Sequence, residues 1–96
     1  MNIFKDNNTA ILIQAILCLK NDEECKALLE DILTEGEILA VSQRLEVARL
    51  LRKGTNYSAI AQTTGASTAT ISRVNRCVLY GTGGYETIFS RIDLEE

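Results

Sequence analysis

Between residues 8 and 20 the chain is apolar at every helical phase: nine of the ten residues from Ala10 to Leu19 are hydrophobic, Gln14 being the exception. A helix that is apolar all round has to be buried all round in water. A chain of 96 residues is too short to wrap such a helix by itself, so a second chain is its natural cover. Residues 22–33 predict a helix with an inner face of Leu28, Leu29, Ile32 and Leu33, capped by Asn21 or Asp22 and acidic in its first turn. Thr34 and Glu37 have capping-box spacing, in which each side chain satisfies a free backbone N–H of the other's residue. The helix that this box opens runs to about Lys53. Its stripe is Ile38, Val41, Leu45 and Ala48, widened by Leu39, Val47, Leu50 and Leu51. Gly54 ends it, after Arg49, Arg52 and Lys53 have met the negative end of the helix dipole. Shorter helices are predicted over 57–64 and 67–79, the second capped by Ser67. A glycine-rich break at Gly81–Gly84 precedes a final helix, Tyr85–Leu94.

The pattern is all-α, with about six helices in a single domain over residues 1–96. Residues 1–54 are read as dimerisation and scaffold helices, 57–76 as a two-helix unit and 85–94 as a C-terminal helix. In the two-helix unit, counted from Tyr57, small or apolar residues fall at the fourth (Ile60), fifth (Ala61), tenth (Ala66), fifteenth (Ile71) and eighteenth (Val74) places, with Gly65 ninth. Ala61 is small where the second helix crosses over it. Gly65 sits where the turn needs a left-handed backbone conformation, cheap only for glycine. Ile60, Ile71 and Val74 fill the angle between the helices. The outer face of the second helix is then Ser67, Thr68, Ala69, Ser72, Arg73 and Arg76: short, polar and free of acids. Such a face suits a helix lying in the DNA major groove, and its first turn offers N–H groups to a phosphate. The spacing therefore predicts a DNA-binding helix-turn-helix; a plain helical hairpin is the alternative.

Charge sharpens that expectation. The chain is acidic overall, with ten basic and thirteen acidic residues, yet residues 44–76 hold Arg44, Arg49, Arg52, Lys53, Arg73 and Arg76 against Glu46 alone. That stretch is net +5 and the remainder net −8, and no acid stands between Glu46 and Glu86. One end of the molecule is thus suited to phosphates and the other to solvent or a partner. Arg49 and Arg52 also fit an ordinary solvated helix face.

Other chemistry finds little footing. There is no histidine, which removes the commonest general base and metal ligand. The adjacent acids Glu23/Glu24 and Glu95/Glu96 read as caps and tails, not as a converging catalytic pair, so no enzyme, metal or cofactor is expected. Gly81–Gly84 follows a helix rather than a strand, the wrong context for a phosphate loop. Cys18, Cys25 and Cys77 lack redox or zinc spacing and are expected to be buried, reduced thiols in a cytoplasmic protein. The apolar run at Ala10–Leu19 is half the length that spans a bilayer and lacks the basic start of a signal peptide, so neither export nor a membrane is expected.

The run Thr34-x-x-Glu37…Arg44…Leu50-Leu51-Arg52-x-Gly54…Gly65-Ala66…Ala69-Thr70-Ile71-Ser72-Arg73 resembles the Trp repressor family. The all-helical N-terminal region and Tyr80-Gly81-Thr82-Gly83-Gly84-Tyr85 resemble its YerC/YecD branch. The resemblance implies an intertwined homodimer and bacterial transcription control by binding double-stranded operator DNA. It places Thr68, Ala69 and Ser72 at base edges, and Ser67, Arg73, Arg76 and Lys53 at phosphates, with Ser58 of the first helix also among the DNA-facing residues.

The resemblance also implies an effector pocket. In tryptophan-binding members two arginines, matched here by Arg44 and Arg73, sandwich an indole, and two threonines, matched by Thr34 and Thr70, stand nearby. Those members carry glycine where this chain has Val74, which adds three carbons to the slot. The favoured reading is therefore that Arg44 and Arg73 serve phosphates, Thr34 caps a helix and Val74 fills the site, with no tryptophan bound; a smaller effector is the alternative. A second function class is a helical interaction module that meets another regulator instead of DNA.

Overall fold

The computed structural model describes residues 2–92. Among these it contains six α-helices and no strand: α1 (Asn7–Leu17), α2 (Asp22–Ile32), α3 (Glu35–Arg52), α4 (Tyr57–Thr64), α5 (Thr68–Tyr80) and α6 (Gly84–Arg91). A short 3-10 turn, Asn2–Lys5, precedes them and is not foreshadowed by the hydrophobic pattern. The chain divides into two compact units, Met1–Ile38 and Leu39–Glu96.

In the N-terminal unit the helix boundaries follow from caps. Asp6 opens α1 by accepting from the Asn8 N–H at 2.9 Å. The prediction carried this helix to residue 20, but it ends at Leu17. Asn21 is extended and caps α2 by accepting from the Glu24 N–H at 2.9 Å, while Glu24 Oε1 accepts from the Lys20 N–H at 2.9 Å. That reciprocal pair draws Lys20 into the start of α2 and so out of α1. Thr34 and Glu37 do form the predicted box: the Thr34 N–H donates to Glu37 Oε1 at 2.8 Å and the Glu37 N–H to Thr34 Oγ1 at 3.1 Å. The 3-10 turn, α1 and α2 contain no buried residue.

The C-terminal unit has a core. Val47, Ala48 and Leu50 of α3, Ile60 of α4, Ala66 of the turn and Ile71 and Val74 of α5 are buried together. Leu51, Ala61, Val78, Tyr85 and Phe89 pack against them. Only the C-terminal half of the α3 stripe is thereby covered, since Leu39 and Val41 stay exposed. α3 closes as predicted: Gly54 has φ 86°, its N–H donates to the Leu51 carbonyl, and the Thr55 N–H donates to that of Leu50. Gly81 is required at the end of α5 for space, because a Cβ there would lie 2.4 Å from the Cys77 carbonyl oxygen. α6 begins one residue before the prediction and stops at Arg91, with Ile92 extended. The predicted Asp93 and Leu94 of this helix and the Glu95/Glu96 pair lie outside the described residues.

The cysteine expectation holds for the unpaired thiols and is corrected for their burial. Cys18, Cys25 and Cys77 are free and exposed. Cys18 and Cys25 belong to the unit whose helices bury nothing, and Cys77 lies on the flank of the Ile71–Val74–Val78 stripe, not on it.

Candidate nucleic-acid interface

α4 and α5 are set by local chemistry. Asn56 caps α4, accepting from the Ala59 N–H at 2.9 Å. Gly65 ends it with φ 76°, the left-handed conformation expected at the ninth place. Ser67 caps α5: its Oγ accepts from the Thr70 N–H at 3.1 Å, and its hydroxyl donates to Thr70 Oγ1 at 3.1 Å. Ile60, Ile71 and Val74, assigned to the angle between the helices, are all buried. The pair is a helix-turn-helix resting on α3.

Burial of that inner side leaves the predicted outer face outward. Ser58, Ser67, Thr68, Ala69, Ser72, Arg73, Arg76 and Lys53 are all exposed. The surrounding charge is less basic than the sequence suggests, because acids pair with two of its arginines. Arg49 Nε donates to Glu46 Oε1 at 2.9 Å. Arg52 Nη2 pairs with Glu86 Oε1 of α6 at 2.8 Å, its guanidinium lying 5.8 Å from the Phe89 ring centroid. The Glu86 pairing, across 34 residues, left no sequence signal. The Asn56 cap had one, since asparagine before a helical run is a preferred N-cap. Sequence reasoning also missed Gln43, whose Nε2 donates to the Thr64 carbonyl at 3.1 Å.

Each residue assigned to an effector pocket has an identifiable place. Arg44 and Arg73 both act on the Tyr85 hydroxyl, a group sequence reasoning did not single out. Burial pushes that hydroxyl above the ordinary tyrosine range, with Cys77 adding to the rise and Arg44 and Arg73 opposing it. Val74 is 2% exposed and belongs to the core. Thr70 is half-buried and engaged in the α5 cap. Thr34 lies in the N-terminal unit, its hydroxyl accepting from Glu37. A separate, mostly apolar pocket between α3 and α6 is lined by Ser42, Leu45, Glu46, Ile88, Phe89 and Ile92. Among the described residues no three His, Cys, Asp or Glu side chains gather as a metal site would need, and no helix is long and apolar enough to cross a membrane.

The architecture defines the class as a helix-turn-helix protein on an all-helical scaffold. Comparison narrows the class to a family. The sequence pattern of the Trp repressor protein family matches residues 7–93. A Bacillus subtilis (strain 168) protein, YerC, is 52% identical over 81 residues, covering 84% of this chain and 78% of its own length. The crystal structure of a TrpR-like protein from Eubacterium eligens ATCC 27750 superposes with a TM-score of 0.93 at 49% identity, over 100% of both chains. A Staphylococcus aureus protein described as a candidate Trp repressor gives a TM-score of 0.90 at 43% identity, over 99% of this chain and 97% of its own. The chain belongs to the Trp repressor family.

Proposed function

We propose that the protein is a cytoplasmic, sequence-specific transcription regulator, a repressor that binds operator DNA as a homodimer. The observation that carries this reading is the outer face of α5: Thr68, Ala69, Ser72, Arg73 and Arg76 stand exposed on a helix whose opposite side is locked in the core. Thr68, Ala69 and Ser72 meet base edges, while Lys53, Ser58, Ser67, Arg73 and Arg76 meet the DNA backbone. The base-facing side chains are too short for many bidentate contacts, so bridging water and DNA shape carry much of the specificity. The dimer reading is supported by the N-terminal unit, where Ile11, Leu12, Ile13, Ile16 and Leu17 are exposed in the single chain. Contiguous apolar surface of this kind marks an interface. In the dimer the two α5 helices sit about 34 Å apart, matching successive major grooves. No tryptophan is required, because Val74, buried in the core, stands where the resemblance calls for the glycine that leaves room for an indole.

Filter binding across a salt series tests the DNA reading. A phosphate-dominated complex weakens steeply as salt rises, whereas a protein-interaction module shows no such dependence on DNA. Arg76→Ala is expected to weaken binding to all duplexes alike and to flatten the log–log salt slope by about one unit. A change in the preferred sequence would instead place Arg76 at a base.

A further inference from the structure

Gln43 reaches from α3 to the turn of the helix-turn-helix, its Nε2 donating to the Thr64 carbonyl across 21 residues of sequence. Thr64 is the last residue of α4. The final carbonyls of a helix have no partner within it, and one left unpaired away from water destabilises the end of the helix. Here the Gly65 N–H answers the Ala61 carbonyl at 2.9 Å. The Thr64 hydroxyl donates to the Ile60 carbonyl at 2.7 Å and accepts from the Ala66 N–H at 3.1 Å. The turn is therefore closed on itself by the hydroxyl of Thr64 and tied to the scaffold by its carbonyl, through a part-buried bond. Three residues later Ser67 starts α5. From Thr68 to Arg76 that helix rises about 12 Å, so a rotation of roughly 5° at the turn moves its far end by about 1 Å. Recognition geometry tolerates only about half that displacement.

We propose that Gln43 is a positioning residue for DNA recognition: it caps the C-terminus of α4 from α3 and fixes the angle at which α5 is presented. The inference rests on the DNA-binding reading, but its geometry can be read without DNA. The charged or titratable side chains on the surrounding helices are Arg44, Glu46 and Arg49 near it on α3, Tyr57 on α4, and Arg73, Arg76, Cys77 and Tyr80 on α5. The chain has no histidine, the side chain that ordinarily titrates between pH 5 and 8.

The test uses the full chain as wild type, Gln43→Leu and Gln43→Glu. Two readouts are taken: anisotropy with a duplex that the wild type selects from genomic DNA, and hydrogen exchange at the Gly65 and Ala66 amides without DNA. Gln43→Leu removes the donor and is expected to lower affinity by up to about tenfold, the most that losing one hydrogen bond's bias toward this α5 angle can cost, and to speed exchange at both amides. Gln43→Glu sets a carboxylate against a carbonyl at pH 8. Partial burial and that carbonyl both favour the protonated form, so its carboxyl titrates above the usual value of about 4.3. Once protonated it donates to Thr64, and affinity should return toward wild type as pH falls from about 7 to 5, measured against the wild-type profile. Space filling alone is excluded by Gln43→Leu, which keeps about the same volume without the donor and shows no recovery as pH falls.

A Glu variant whose profile parallels the wild type overturns the proposal, as does a Leu variant with unchanged affinity and exchange. If the Leu variant fails to fold, the Glu profile alone decides. If the wild type binds no duplex, the DNA reading fails separately. Exchange then decides for Gln43: faster in the Leu variant and reversed by acid in the Glu variant upholds the positioning role, and unchanged exchange overturns it.

Discussion

In the unit Met1–Ile38 the 3-10 turn, α1 and α2 bury no residue, although α1 is the most uniformly apolar stretch of the chain. In Leu39–Glu96 a chain no more hydrophobic at first sight gathers, among the described residues, seven buried ones from three helices and a turn. Both units contain helices capped by side chains, so capping and burial are separate determinants here. Asp6, Asn21 with Glu24, and Thr34 with Glu37 set where the N-terminal helices begin by bonds spanning two to four residues. Those bonds act whether or not the helix is covered. Burial depends on small residues that allow close approach, Ala48 and Ala66 being the examples in the C-terminal core. α1 presents long aliphatic chains in every direction, and its own unit offers nothing to enclose them. On the reading above, one unit is a self-contained core carrying a recognition face, and the other is the surface through which a second copy completes the fold.

The sharpest way to break this contrast is to place a charge on α1. Leu17 is 77% exposed in the single chain. If the unit were self-sufficient, Leu17→Asp would be a surface change worth less than about 0.5 kcal/mol. If a partner covers it, an unpaired carboxylate enters an apolar interface at a cost of several kcal/mol. Sedimentation is expected to show the variant as monomer at concentrations where the wild type is a dimer, with helical circular dichroism falling as α1 loses its cover. An unchanged dimer would place the interface elsewhere.

The contrast also explains what the sequence could and could not reveal. α4 was legible at both ends, because Gly65 and the spacing of Ile60, Ala61 and Ala66 confine it tightly. The box at Thr34 and the stop at Gly54 gave α3 in the same way, and Ser67 gave the start of α5. Local signals carry such boundaries. The end of α1 was missed because Glu24 competes for the Lys20 N–H, an effect of side-chain reach that hydrophobicity does not encode. Of the site, the outward placement of the α5 face was legible from the inward positions of Ile71 and Val74. The pairings of Arg52 with Glu86 and Gln43 with Thr64 were not, since contacts 34 and 21 residues apart leave no periodic trace. The cysteines were misjudged because an apolar helix was equated with a buried one.

A smaller effect is expected at Val74, the position that the sequence resemblance assigns to the family's ligand slot. At 2% exposure its side chain is already part of the packing between α4 and α5. An indole between Arg44 and Arg73 would overpack that region by about 1–3 kcal/mol, or one to two powers of ten in affinity. Calorimetry is therefore expected to detect no micromolar tryptophan binding by the wild type. Val74→Gly should gain affinity while losing about 2–4 kcal/mol of stability, because the deleted side chain leaves a gap in the core and glycine weakens the helix; denaturation measures that loss. Micromolar binding by the wild type would refute the steric argument, and no gain in the variant would assign the missing pocket to something other than Val74.

The smallest expected effects compare one ion pair from each unit. Asp22–Lys26 on α2 lies at 3.1 Å with both side chains more than two-thirds exposed, and it spans one helical turn. Pairs of that kind contribute about 0.3–0.5 kcal/mol, largely screened by salt. Arg52–Glu86 is tighter, at 2.8 Å, with the arginine side chain only 29% exposed and its guanidinium also near Phe89. Glu86 is itself 69% exposed, which keeps the pair within the usual surface range of up to about 1 kcal/mol. Lys26→Met and Glu86→Gln, each measured by urea denaturation at low and at high salt, should therefore differ in a specific way. The first is expected to fall within experimental error once salt is raised. The second should retain a measurable loss, because a partly buried guanidinium without its carboxylate still has to be desolvated against α6. Equal and fully screened losses would mean that α6 is held to α3 by Phe89 and its neighbours alone, and that the ion pair only decorates an apolar contact.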